Sequence, residues 1–487
     1  MTVYTGSFQA ASIQFVLFGL AVAVVSNVSR SRVWRSAVLM LASIVFLGLM
    51  AHTPLLAFLP LIGFLSLGYG GLWLLERGWS KSLIWSILAV LCVYIWLKKY
   101  TFLPESIFLH SPYSTLGLSY IFFRVLQLLI ETGDGGEEQR HIGPFAFLLY
   151  SINFTTFISG PIQRYDEFAR DQFADQPIGL GPRAIGLQME RIVRGFFKVH
   201  VLAMLFNMVH VDALSQLSQP VPLTLKLYAA FRLVVVYPFF VYSSFSGYID
   251  IVIALARLMR VRLPENFNRP FSATSFLDFW NRWHITLSTW MKTYVYNPLL
   301  VVLMRRISSL TLQPLLGVFC FFITFFLVGV WHGRNSEFIF FGVLLGAGVS
   351  INKLWQVGLA RILDRKGYKA LAKNPVYTAF GRGLTFSWFA FASTWFWADW
   401  RQIAKVFAAL SAVQWLFVWL AILLCGTAVL AAWEWLCGAL LSIQTTEGSV
   451  LTSRYARTIY ASAMCLIAFV LSVLLNQPAP DIVYKAF

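Results

Sequence analysis

The sequence predicts an all-α polytopic membrane protein, with about 11–14 transmembrane or re-entrant helices around a central funnel. Three observations predict it. Of 487 residues, 58% are hydrophobic and only 12% charged, where an average soluble domain carries about a quarter charged residues. A water-soluble chain this apolar would have to hide most of its length, which surface-to-volume scaling does not allow. Apolar runs recur from one end of the chain to the other, many near the roughly 20 residues that a crossing needs. Between them, one stretch sets several ionisable side chains among aromatic residues.

Taken in order, the apolar segments are 10–27, 36–52, 53–75, 82–97, 115–131, 144–160, 189–211, 225–258, 280–303, 312–331, 337–358, 378–397, 403–432 and 456–476. Two exceed one simple crossing: 225–258, which contains Pro238 and Gly247, and 403–432. Pro and Gly invite kinks or re-entrant pieces, which survive only inside protein or beside water. The first run lacks a basic region before it and a small-residue cleavage site after it, so it reads as a span and not as a cleaved signal. The polar, glycine-rich 132–143 reads as an exposed loop, and 161–188 has room for one amphipathic interfacial helix. The whole chain reads as a single integral membrane domain, with N-terminal spans over 1–114, a motif-bearing core over 115–405 and C-terminal spans over 406–487.

Thirty-eight Lys and Arg against 21 Asp and Glu give a formal net charge of +17. In a membrane protein such an excess reads as cytoplasmic loops that hold topology and touch anionic lipid. No basic block alternates with aromatics as a nucleic-acid groove requires, so no nucleic acid is expected as a partner. Arg30, Arg32 and Arg35 fall on the same side as Arg77 and Lys81 if the amino terminus is exterior. Lys98 and Lys99 then face outward, at a span end where they can snorkel. The loop 359–377, with Arg361, Arg365, Lys366, Lys369 and Lys373, is the clearest cytoplasmic one. The five cysteines sit in or beside apolar runs without a CxxC and read as small core residues. HExxH, P-loop and GxGxxG signatures are all missing, and two histidines do not close a zinc site, so neither a metal nor a tightly bound cofactor is expected.

The stretch that mixes ionisable and aromatic side chains is 263–298, LPENFNRPFSATSFLDFWNRWHITLSTWMKTYVYNP, with Glu265, Arg269, Asp278, Arg282, His284 and Lys292. His332 follows in Trp331-His332-Gly333, at the end of the apolar run 321–330. Ionisable groups are expensive at membrane depth and mark candidate functional sites. Two histidines there suggest acid–base or ligand chemistry, or else a pair of hydrogen-bonded structural histidines. Read as a helix, 280–290 puts Trp280, Trp283, His284, Leu287 and Trp290 on one face, with Ser288 one turn beyond His284. Asn266 and Arg269 lie in the loop before it. The planar fork of Arg269 suits a carboxylate or phosphate, or pairs with Glu265 or Asp278. Asp278 is placed to cap the helix that begins near it. Tyr120, Arg124 and Gln127 share a helical face, where an intramembrane arginine must pair or face water. Tyr248 and Asp250 form a similar polar pair.

ENFNRPF, the W-(x)₂-WH-(x)₂-LS-(x)-W spacing after it and the later WHG together resemble the membrane-bound O-acyltransferase superfamily. The likeness is to the bacterial branch that includes alginate O-acetylase and the teichoic-acid D-alanyl transferase. GPIQRYDEF at 160–168, FSGYIDIVIALARLMRVRLPENFNRP at 245–270 and TFSWFAFASTWFWADW at 385–400 extend it, in order, over roughly 115–405. Ser244 stands where the family often has an aspartate, and Ala398-Asp399 where it often has an arginine. The resemblance implies that His332 is the catalytic histidine, with Trp331 and Gly333 shaping its pocket. It implies acyl-CoA (acetyl-CoA) or an acyl carrier protein as donor, and a hydroxyl acceptor on an exported or cell-surface polysaccharide. It further implies a periplasmic acetyl-transfer partner protein and a place in the bacterial cytoplasmic (inner) membrane. His284 is then a catalytic-site group on the acceptor side. D-alanyl transfer to a teichoic-type polymer and lipid acylation are the alternatives within the class. A proton-coupled transporter with a histidine relay is the alternative outside it, for which the matching repeats of many transporters are not seen.

Overall fold

The computed structural model describes residues 11–475 apart from 52–54, 110–112, 136–140, 308, 310, 443, 446–447 and 450–452. It is an all-α polytopic membrane protein. Among the described residues, eight helices are long and apolar enough to cross a bilayer, and Ile13–Ser26 and Ser82–Leu97 are shorter apolar ones. The remaining apolar segments are held as short helices and broken pieces. The only strands in the described part are two-residue segments, Gln444–Thr445 paired with Gly448–Ser449. The chain forms two compact units, one from 11–196 with 248–265 and the other from 197–247 with 266–475.

In the first unit, Ile13–Ser26, Arg32–Ala51, Leu59–Glu76, Ser82–Leu97 and Leu118–Gly133 follow the expected segments. The segment 144–160 departs from expectation, because its helix, Pro144–Ser151, stops after eight residues. The irregular backbone beyond it is buried and needs donors that a helix would have supplied itself. Arg124 supplies them: its guanidinium donates to the carbonyls of Tyr150 at 2.7 Å, Ser151 at 2.8 Å and Thr156 at 2.7 Å. Within 161–188 the expected amphipathic helix is Tyr165–Gln172, which buries Tyr165 and Phe168 and exposes Asp166 and Glu167. Of the polar loop 132–143, residues 136–140 lie outside the described part; Asp134, Gly135 and His141 are exposed.

Segment 225–258 is one continuous helix, Leu223–Leu258, of 36 residues with Pro238 inside it. At 1.5 Å per residue it is about 54 Å long, well over the ~30 Å of a hydrocarbon core. A proline costs about 3 kcal/mol in a helix interior, yet burial of the surrounding residues keeps the helix continuous; 89% of its apolar window is buried. Its polar end is tied down, as Arg191 donates to Asp250 at 2.9 Å and to both oxygens of Glu265.

In the second unit, Gln313–His332 and Ser336–Ile362 form a tight antiparallel hairpin. A side chain on Gly329 would lie 2.1 Å from the Cα of Gly342, and one on Gly346 would lie 2.8 Å from the Phe322 carbonyl oxygen. Small residues at such a crossing let two backbones touch where no hydrophobic effect drives them together. The basic segment 359–377 is not a loop. It is mostly helical: Asp364 caps Arg365–Lys373 and Asn374 caps Pro375–Ala392. Segment 403–432 is two helices, Trp400–Ala408 and Ala412–Ser442, because Ser411 and Gln414 cap the second one reciprocally.

Candidate active site

His332 ends the Gln313–His332 helix and is 3% exposed. Its Nδ1 lies 2.6 Å from the Val328 carbonyl oxygen, one turn back. A carbonyl only accepts, so Nδ1 carries a proton. Three aromatic rings hold the imidazole edge-on: Trp331 at 4.8 Å, Phe396 at 5.4 Å and Phe341 at 5.9 Å between centroids. Gly333 ends the helix in extended backbone. A Cβ there would stand 2.1 Å from the Phe338 ring, so glycine is demanded by the close approach of that ring.

His284 departs from the expected geometry. The face proposed for 280–290 assumes one helix, but the chain forms Phe276–Trp280, breaks, and restarts as Ile285–Met291. His284 sits in the break with φ 47° and ψ 50°, left-handed backbone that costs about 1–2 kcal/mol for a residue with a Cβ. Long-range pairing with the preceding loop imposes the break. Asn268 N donates to the Arg282 carbonyl at 2.9 Å, and Ile285 N donates to the Asn266 carbonyl at 3.0 Å. The Asn266 side chain then anchors the restart, accepting from Thr286 N at 3.1 Å and Thr286 Oγ1 at 2.9 Å. His284 Nδ1 lies 3.3 Å from the same oxygen, which can only accept, so Nδ1 carries a proton. His284 is fully buried, with Phe245 at 5.0 Å and Trp331 at 6.4 Å.

The structure therefore brings the two histidines together across one indole. Centroid distances of 6.4 Å and 4.8 Å to Trp331 bound their separation at about 11 Å. Trp283 lies in the wall beside them, stacked on Phe279 at 5.4 Å and tilted against Phe389 at 5.0 Å. Trp280 packs on Phe325 at 4.9 Å. Ser288 donates its hydroxyl to the Trp283 carbonyl at 3.4 Å, and its backbone N–H to the His284 carbonyl at 3.0 Å.

Arg269 is half exposed and pairs with neither Glu265 nor Asp278: its guanidinium donates to Glu434 at 2.7 Å. Glu265 is held by Arg191 and Asp278 by Arg282. Asp278 is not the cap; Ser275 caps the short helix, accepting from Asp278 N. Arg124 and Tyr248 belong to the other unit. Arg124 is fully engaged by backbone carbonyls, and Tyr248 is buried against Phe15 at 6.2 Å. Glu434, Thr286 and Phe396 are contributors that sequence reasoning missed. Glu434 left a signal, since it is the one charged residue in the 31-residue helix Ala412–Ser442 and needs a partner. Among the described residues no group of three or more His, Cys, Asp or Glu is placed to hold a metal ion.

A polytopic helical protein with two imidazoles buried around one tryptophan is the class of protein that the fold and the candidate site define. Its family follows from comparison. The model of the membrane-bound O-acyltransferase (MBOAT) family matches residues 76–377, a span that holds both histidines, and the chain belongs to that family. It is 32% identical over 281 residues to a teichoic acid D-alanyltransferase of Streptococcus thermophilus, covering 56% of this chain and 65% of that protein. It is 28% identical over 315 residues to a probable alginate O-acetylase of Pseudomonas aeruginosa, covering 62% and 57%. A peptidoglycan O-acetyltransferase of Helicobacter pylori is 32% identical over 212 residues, covering 43% and 37%. The chain thus spans between about a third and two thirds of the length of these curated relatives.

Proposed function

We propose that this chain is an O-acyltransferase of the bacterial cytoplasmic membrane. It takes an acyl group, acetyl, from a cytoplasmic thioester such as acetyl-CoA and passes it to a hydroxyl of an exported or cell-surface polysaccharide. One observation carries the chemistry: His332 is buried with its Nδ1–H held by the Val328 carbonyl, which fixes the ring and assigns proton exchange to Nε2. In the proposed step the acceptor hydroxyl oxygen attacks the thioester carbonyl carbon while Nε2 takes the hydroxyl proton. The C–S bond then breaks, and the thiolate leaves with that proton. A positioned base of this kind is worth typically 10²–10⁴-fold. His284 serves the acceptor side, and Trp331 separates the two imidazoles. A periplasmic partner that carries the acetyl group onward fits the exterior acceptor.

The similarity to a D-alanyltransferase favours a second reading, in which the donor is a D-alanyl acyl carrier protein and the acceptor a teichoic-type polymer. Purified protein supplied in turn with labelled acetyl-CoA and with labelled D-alanyl carrier protein separates the two. Consumption of acetyl-CoA that stops in His332→Gln supports the first reading, and consumption of the carrier thioester alone supports the second. Proton-driven flux without thioester consumption would remove both.

A further inference from the structure

Asn266 is fully buried, and its two amide atoms are used very differently. Its Oδ1 accepts from Thr286 N at 3.1 Å and Thr286 Oγ1 at 2.9 Å, and lies 3.3 Å from His284 Nδ1. A backbone N–H can only donate, so the oxygen must face Thr286 and the orientation of the amide is fixed by chemistry. The Nδ2 group then points away from that corner, and among the described residues it has no hydrogen-bond partner. A buried donor left unmade is costly, and native structures rarely carry one without a use. This one is held rigidly by the loop that breaks the helix at His284, a few ångströms from that imidazole.

We infer that Asn266 is a catalytic residue of the acyl transfer and that its Nδ2 donates a hydrogen bond to the carbonyl oxygen of the acyl thioester. The inference rests on the acyltransferase reading above and deepens it. As the hydroxyl oxygen bonds to the carbonyl carbon, the π electrons of the C=O bond move onto its oxygen, where Nδ2 meets the developing negative charge. His332 Nε2 holds the hydroxyl proton through this stage. When the C=O bond re-forms, the C–S bond breaks and the thiolate carries the proton away. A preorganised donor aimed at such an oxyanion is worth about 10²–10³-fold in turnover. Its placement on a strained, long-range-paired loop explains why the amide does not relax to find another partner.

The test compares wild type, Asn266→Asp and Asn266→Ser in detergent, all carrying the rest of the chain unchanged. Asn266→Asp keeps the acceptor for Thr286 and removes the donor, and Asn266→Ser guards against misfolding caused by a buried acid. Two unreactive probes are used: acetonyl-CoA, which has the carbonyl, and S-ethyl-CoA, which lacks it. The expected result is a fall in acetyl-CoA turnover of about 10²–10³-fold, a Kd for acetonyl-CoA raised by about tenfold, and a Kd for S-ethyl-CoA that is unchanged. Equal weakening of both probes would mean that Asn266 only shapes the loop, and the inference falls. An active wild type whose turnover survives both substitutions overturns the inference alone. A wild type that binds neither probe and consumes no acetyl-CoA overturns the acetyl-CoA reading, and this inference goes with it.

Discussion

The imidazole of His284 meets the indole of Trp331 edge-on, 6.4 Å between ring centroids with the planes 65° apart. Trp331 is in turn 4.8 Å from His332, its neighbour in sequence. One indole therefore contacts both imidazoles, from a loop break on one side and a helix end on the other. Each imidazole has Nδ1 engaged by a protein oxygen, at 3.3 Å for His284 and 2.6 Å for His332. Nδ1 is thus the nitrogen held by the protein in both rings, and in the proposed reaction proton exchange falls to Nε2.

If His332 Nε2 is the base, His332→Gln should lower thioester turnover by about 10²–10⁴-fold. Glutamine keeps a polar side chain in the ring of Trp331, Phe341 and Phe396 but offers no useful base. Thermal unfolding of the purified variant should stay close to wild type. Turnover above a tenth of wild type in well-folded protein would sink the assignment.

His284 gives a test that separates backbone from side chain. Asparagine tolerates left-handed backbone far better than a β-branched residue does. His284→Asn should therefore fold at wild-type yield while losing activity. His284→Val should be less stable as well, because a β-branched residue tolerates φ 47° worse than histidine does. Size-exclusion profiles and melting curves of the two variants side by side decide it. Equal stabilities would mean the turn adjusts and the strain argument is wrong.

The membrane class and the chain-wide helicity were legible because apolar run length is a local feature, and the WHG at the end of one run marked His332 as a candidate. The geometry of His284 was not. A 3.6-residue period over 280–290 reads as one helix, and only the pairing of 266–268 with 282–285 breaks it, which no local window can show. The Arg269 partner lies 165 residues away in sequence, so the nearby acids were the natural candidates and the wrong ones. The break before Ala412–Ser442 was readable, since Ser411-Ala-Val-Gln414 is a capping box inside an apolar run. Run length simply outweighed it.

Arg124 has a different job from the histidines. Its guanidinium fills three buried carbonyls where the 144–151 helix stops short, so removing it leaves those oxygens without a donor. Each costs about 1–3 kcal/mol. Arg124→Leu should destabilise the protein by at least about 3 kcal/mol, and Arg124→Lys should not recover it fully, since an ammonium lacks the planar fork that spans the three. Thermal or denaturant unfolding in detergent measures both. A leucine variant as stable as wild type would show that the carbonyls find other donors.

Gly333 tests how the catalytic ring is held. A Cβ at this position would stand 2.1 Å from the Phe338 ring. The backbone there, at φ −168°, is extended and open to any residue, so strain is not the reason for glycine. Alanine must therefore push Phe338. That ring touches Phe396 at 5.8 Å, and Phe396 touches the His332 imidazole at 5.4 Å. Relieving that contact moves the Phe338 ring by about 1 Å or more, and a misplacement of about 1 Å passed on to a reacting group can cost about 10²-fold. Gly333→Ala should lose turnover with thioester binding nearly intact. Trimming the obstacle in Gly333→Ala/Phe338→Leu should recover more than half of that loss on a logarithmic scale. The four-variant cycle of kcat, with donor Kd measured in parallel, reads the coupling directly. Additive losses, with the double variant no better than the product of the singles, would break the proposed link between Gly333, Phe338 and the histidine.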